Sequence, residues 1–191
     1  MPFSNFTSKL NGRLIVIHLI ACWFFIYSFL MFSYLHDHEF LQLVLNHPKN
    51  WFKDPQIRHF NASAIFIDAL WISLSKPIGL LTGFLISLTI VIKKKWYWVN
   101  SLIVFLVAIL LLRYHLFGWH YLSYVFMAPG SLFKEYSIWY FLTNGLVMLA
   151  IGMLILFLKQ VQQFINPTAV SEMLDGTMQQ GTSPQAEPIN N

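Results

Sequence analysis

The stretch ASAIFIDALWISLSKPIGLLTGFLISLTIVIKKK, residues 62–95, decides how the rest of the chain is read. From Ala62 to Ile92 it holds only two ionisable side chains, Asp68 and Lys76, before three consecutive lysines. Such a run is too long for one perpendicular crossing of a bilayer, whose hydrocarbon of about 30 Å takes about 20 residues. Lys93, Lys94 and Lys95 mark one boundary, because their ammonium groups must reach water. Counting about 20 residues back gives a span of 74–92. Lys76 then sits within snorkelling reach of the far surface, and Asp68 lies outside the hydrocarbon. Pro77 can start or kink a helix. Residues 62–75 are therefore expected to lie along the surface and bend at Lys76–Pro77 into the span.

Three further apolar runs flank this one. Residues 14–35 carry no Asp, Glu, Lys or Arg and follow Lys9 and Arg13. The run exceeds the roughly 7–15 residues of a signal-peptide core and lacks a small-residue cleavage pattern, so a retained helix is expected. Trp96, Tyr97 and Trp98 open a span of 96–112, closed by Arg113. Residues 138–158 form the fourth, with Trp139 and Tyr140 in the first turn and Lys159 at the end. Trp and Tyr collect at membrane interfaces, which suits both sets. The predicted fold is an all-α membrane protein, with residues 1–158 forming a bundle of four transmembrane helices. Residues 159–191, rich in Gln, Pro, Thr, Asn and Ser, are expected to be a polar tail, disordered beyond the first turn or two.

Composition agrees. The 191 residues are 57% hydrophobic and 10% charged, against about 25% charged in soluble domains. The formal charge of +4 is spread over short loops, so a nucleic-acid partner is not expected. Cys22 is the only cysteine, so no disulfide can form within the chain. Its apolar neighbours also quiet a thiol as a nucleophile.

Lys and Arg density sets the expected orientation. Lys9, Arg13, Lys93, Lys94, Lys95 and Lys159 crowd one side, while Lys49, Lys53, Arg58, Arg113 and Lys134 are diluted over two longer loops. Both termini are therefore placed in the cytoplasm. FLQLVL, residues 40–45, reads as a short interfacial helix in the first outer loop, and Pro129-Gly130 as a turn in the second.

The outer loops hold His36, His38, His47, His59, His115 and His120. Imidazoles beside Asp37 and Glu39 suit zinc, copper or iron, and a site built from His36, His38, His59, His115 and His120 is the metal-binding possibility. Against it, residues 36 and 38 point about 200° apart on a helix. His115 and His120 also miss the four-residue spacing of helical metal sites. Haem between spans would need His18 and a partner at equal depth, and the other histidines lie at the opposite surface. His18, Asp68 and Lys76 are the ionisable groups inside or at the edge of the spans, where such groups are functional suspects. No serine-hydrolase elbow, zinc-protease helix or phosphate-binding glycine loop occurs. Ser75, Gly79, Gly83 and Ser87 recur every four residues along the second span, and small residues so spaced let another helix approach closely.

The stretch from Arg113 to Leu158, with FMAPGSLFKEY and YFLTNGLVML, resembles small multi-pass membrane proteins associated with exosortases, the bacterial protein-sorting transpeptidases. The resemblance implies the bacterial inner membrane and a non-catalytic companion of a sorting enzyme, with no catalytic residue to carry over.

The sequence thus favours a non-enzymatic accessory or scaffold subunit. It would work through helix–helix contacts with another membrane protein or a second copy, with the lipid bilayer as solvent and no cofactor. The alternative is a metal-handling protein or membrane enzyme with a histidine-rich site in the outer loops. Elemental analysis of the purified chain separates the two: less than about a tenth of a metal ion per chain is expected, and a near-stoichiometric content would favour the histidine site.

Overall fold

The computed structural model describes residues 10–36, 38–46, 61–114 and 128–165. Among them there is no strand, and the helices are α1 Gly12–Ser33, α2 His38–Asn46, α3 Ala62–Lys93, α4 Val99–Arg113, α5 Ile138–Phe157 and α6 Lys159–Ile165. A 3-10 turn covers Gly130–Leu132. The helices containing Gly12–Ser33, Ile65–Lys93 and Ile138–Phe157 are long and apolar enough to cross a membrane, and α4 is a shorter apolar helix.

Side-chain capping accounts for where the long helices begin. The Asn11 side chain accepts from Leu14 N, Asn61 from Ser63 N, and Ser137 from Tyr140 N, each satisfying an amide that has no partner within its helix. α3 stops in a Schellman turn. Trp96 N donates to Val91 O and Lys95 N to Ile92 O, while Lys95 takes φ 55°, the left-handed conformation this motif needs. Trp96 folds back beside Val91, supplying the apolar contact that accompanies the motif.

Two expected boundaries differ. α3 is one helix from Ala62 to Lys93 with Pro77 inside it, so residues 62–75 are not a separate segment. The proline ring removes a single backbone donor, and the apolar contacts on both sides of Lys76–Pro77 hold the helix together. α4 begins at Val99, because Trp96 and Tyr97 are used in the turn. The first turn or two of the tail, Lys159–Ile165, are helical and return to the start of α1. Asn11 Nδ2 donates to Ile165 O at 2.8 Å and Arg13 to Phe164 O at 3.2 Å. The expected disorder beyond Ile165 lies outside the described residues.

α1 is the centre of the bundle. It packs most extensively on α5 and α3, then on α4. Every residue from Ala21 to Ser28 is buried, as expected of a helix that is apolar all round. The helices alternate in direction: α1 and α4 run away from the lysine turn, α3 and α5 towards it.

Glycines on both neighbours make room for the bulky middle of α1. A Cβ on Gly79 would lie 2.7 Å from Ile26 Cα and 2.8 Å from Phe25 O. On Gly83 it would lie 3.1 Å from Cys22 Sγ, on Gly145 2.5 Å from the Phe32 ring, and on Gly152 3.3 Å from Phe24 Cβ. The stripe Ser75, Gly79, Gly83, Ser87 is buried along its length, and its two glycines lie on this chain's own α1. A bulky residue at Gly83 would therefore disturb this bundle before it disturbed a contact with another chain.

Gly79→Ala is expected to cost about 1–3 kcal/mol, because its new methyl meets backbone that cannot rotate away. Gly12→Ala, which meets nothing within 4 Å, should be neutral or slightly stabilising. Thermal unfolding of both variants in the same detergent checks the pair.

Candidate functional site at the histidine end

Each four-residue step along α1, through His18, Cys22 and Ile26, is matched by a step of four back along α3, through Ser87, Gly83 and Gly79. From Ile26 opposite Gly79, ten residues forward on α1 and eleven back on α3 bring His36 to Asp68. Their side chains meet, with His36 Nδ1 2.7 Å from Asp68 Oδ1. The distance is that of an ion pair, and among the described residues His36 is the partner that the buried Asp68 Oδ1 meets. The partners differ sharply in setting: the His36 side chain is 66% exposed and that of Asp68 8%.

Beside the pair a cleft of about 310 Å³ opens between the last turns of α1 and the first half of α3. Phe29 and Phe32 form one wall, Trp71 and Ile78 the other, with Ser33, His36 and Ser75 completing it. The two serine hydroxyls are occupied, since Ser33 donates to Leu30 O and Ser75 to Ile72 O, both at 2.7 Å. Trp71 is half exposed at the rim.

Lys76 is half-buried on the neighbouring face of α3, and Asp68, two turns away, is paired with His36. His38 is half-buried at the start of α2. That helix is tied to the beginning of α5 by Gln42 Nε2 donating to Tyr136 O at 2.9 Å. His47, His59, His115 and His120 lie outside the described residues. Among the described residues no three or more His, Cys, Asp or Glu side chains converge as metal ligands.

His18 belongs to a different set of contacts. Its Nδ1 is 2.6 Å from Ser87 Oγ, which is 3.2 Å from Ser101 Oγ. All three are buried, so one polar chain links α1, α3 and α4. Nearer the lysine turn, Asn100 Oδ1 accepts from Asn11 N at 3.0 Å while its Nδ2 donates to Tyr97 O at 2.9 Å. Towards the other end, Ser28 Oγ donates to Gly145 O and Asn144 Oδ1 accepts from Gly130 N. These groups join helices; none of them faces the cleft.

Sequence reasoning had His36 and Asp68 in separate categories, a metal candidate and an interfacial acid. Their meeting was encoded in the antiparallel register, which could be read only once the small-residue stripe was assigned to α1. Asn100, Ser101 and Asn144 were not singled out; a polar residue within an apolar run was the signal available.

Comparison with protein-family models, with curated proteins and with solved structures returns no match for this chain.

Ser87→Ala is expected to cost about 1 kcal/mol, the scale of a side-chain hydrogen bond between helices in lipid, because it strips the buried His18 of its partner. Ser101→Ala, at the end of the polar chain, should cost less. Equilibrium unfolding in detergent measures both; equal and negligible losses would show that the three groups do not act together.

Proposed function

We propose that this chain is a four-span integral membrane protein serving as a non-enzymatic accessory or scaffold subunit of a larger membrane complex. Three helices of spanning length and apolar character support the membrane setting. So do the apolar side chains left exposed along α3, α4 and α5, among them Leu81, Leu85, Leu106, Leu110, Leu146 and Leu154. α4, at 15 residues and about 22 Å, becomes a span with help from aromatic residues at its ends. Trp96, Tyr97 and Trp98 precede it, and Tyr114 follows. The density of Lys and Arg supports the lysine turn and both termini on the cytoplasmic side. The resemblance to exosortase-associated proteins supports a bacterial inner membrane and a link to protein sorting.

One observation carries the companion role. α3 has 32 residues and is therefore about 48 Å long, while hydrocarbon is about 30 Å thick. Even a tilt of about 40°, the upper end of what spans adopt, leaves about 37 Å of vertical reach. The excess falls at the histidine end and is apolar: Phe66 is 70% exposed, and Ile67, Leu70 and Trp71 are about half exposed. An apolar surface carried beyond the hydrocarbon, where the headgroup layers bring the bilayer to about 40–45 Å, supports a contact with another protein.

A second reading, a binding or catalytic site at the same end, is favoured by the His36–Asp68 contact beside a cleft. In that arrangement His36 Nε2 is the ring nitrogen turned away from the carboxylate.

Mass spectrometry of the chain drawn gently from its native membrane in mild detergent should find a stoichiometric membrane partner. Phe66→Asp combined with Leu70→Asp should lower recovery of that partner at least about tenfold, the loss of two apolar contacts, while the chain stays in carbonate-washed membranes. A lone stable chain, or a partner held equally by the double variant, would remove the companion role.

A further inference from the structure

The cleft between α1 and α3 is graded along its length. The two helices run in opposite directions, so Phe29 and Ile78 stand at its inner end and His36 and Trp71 at its outer end, farthest from the lysine turn. Between Trp71 and Ile78 the helix rises about 10 Å. The Ser33 and Ser75 hydroxyls donate to carbonyls of their own helices, which leaves the His36 imidazole as the polar group for a ligand. Trp71 and Ile78 are both exposed, so the cleft opens sideways onto the outer surface of α3. A site polar at its outer end, apolar inward and open to the side has the polarity order of an amphiphile lying in the same leaflet.

Charge narrows the headgroup. Asp68 is buried, does not line the cleft, and meets His36 Nδ1 at 2.7 Å, so it holds the imidazole rather than a ligand. A carboxylate there favours the proton on Nδ1 and leaves Nε2 for other contacts, an acceptor in the neutral ring and a donor in the charged one. The carboxylate cancels the charge of a protonated ring, so an acidic head gains little, and an ammonium head finds no acid among the cleft's walls. A neutral oxygen, carbonyl or hydroxyl, is what Nε2 suits. Phe29 and Phe32 stand on one wall and Trp71 on the other, and aromatic side chains on both sides favour a flat ring between them. A flat ring with neutral oxygens and an apolar tail is a quinone. Its carbonyl takes a hydrogen bond from Nε2–H, and in the reduced form its hydroxyl donates to bare Nε2. The cleft's size, at the lower end of the roughly 300–1,000 Å³ of ligand pockets, suits a ring and the start of a tail.

We infer that this cleft binds an isoprenoid quinone, the ring between the aromatic walls, one oxygen on His36 Nε2 and the tail leaving past Ile78. The inference names a ligand class for the binding site of the second reading and rests on the membrane setting proposed above. It is independent of the companion role.

The test is photolabelling of the full chain in lipid nanodiscs with an azido derivative of decylubiquinone, the label being located by peptide mass spectrometry. The wild type should be labelled saturably within residues 29–36 and 71–78, and decylubiquinone should displace the label. In His36→Ala the affinity read from that displacement should fall about tenfold, the effect of one hydrogen bond to a ligand. His36→Gln, whose amide both donates and accepts, should recover most of it. Ile78→Trp narrows the cleft at the end away from His36. It should lose the label while keeping its helicity and melting temperature, which keeps the test decisive if His36→Ala fails to fold. Label falling elsewhere, or displacement unchanged in the variants, would overturn the site. Displacement by dodecanol as strong as that by decylubiquinone would overturn the quinone assignment, because no ring would then be needed. Resistance to carbonate washing, measured in parallel, reports on the membrane setting alone, so failure of that setting is distinguishable from failure of the site.

Discussion

The close approach of α1 to α3 at Gly79 is the contact on which the rest of the arrangement depends. There the backbone of one helix lies on the backbone of the other, with Ile26 Cα and Phe25 O at distances that leave no room for a methyl group. α1 carries Trp23, Phe24, Phe25 and Tyr27 within five residues, and aromatic residues so crowded point in all directions around a helix. A helix so bulky can be central only where its neighbours are thin. Gly79 and Gly83 thin one side, and Gly145 and Gly152 thin another. Shape more than polarity therefore decides which helix is enclosed.

Fixing that contact fixes the register, and the register places the polar groups. His18 falls opposite Ser87 and His36 opposite Asp68, although neither pair is close in sequence. In the membrane setting proposed for the chain there is little hydrophobic drive for one helix to seek another, and packing and interhelical hydrogen bonds take over. The polar contacts are spaced along the bundle accordingly. Asn11 and Asn100 lie near the lysine turn, His18, Ser87 and Ser101 further along, and Ser28, Gly130 and Asn144 towards the far end. Each contact joins different elements, so each favours one register over a slip by a turn.

Much of this was legible from residue types. The long apolar runs read directly as helices, because an uncharged stretch such as Leu14–Leu35 has few other ways to satisfy its backbone. The four-residue stripe on α3 could be seen, but not the surface it would meet, since a small-residue face says only that something comes close. Pro77 was misleading: proline weakens a helix by removing one hydrogen bond, and whether the helix survives depends on the contacts around it. Gly145 and Gly152, seven residues apart on α5, carry the same signal as the α3 stripe at wider spacing, and the longer interval hid it. The contact between His36 and Asp68 depends on two helices and a turn acting together, so no local pattern could announce it.

The two ends of the bundle differ in a way that bears on function. At the lysine end the structure closes on itself. Asn11 caps α1 and also donates to Ile165 O, Arg13 lies 4.8 Å from the centre of the Phe164 ring, and Leu14, Val91 and Ile165 form a small core. Asn11, Arg13 and Asn100 find hydrogen-bond partners there within the chain. At the histidine end, α3 runs on past the bundle with an apolar face. Closure at one end makes a fold secure. Uncovered apolar surface at the other lowers its stability unless something outside the chain covers it. That asymmetry is the physical reason for seeking a partner at the histidine end.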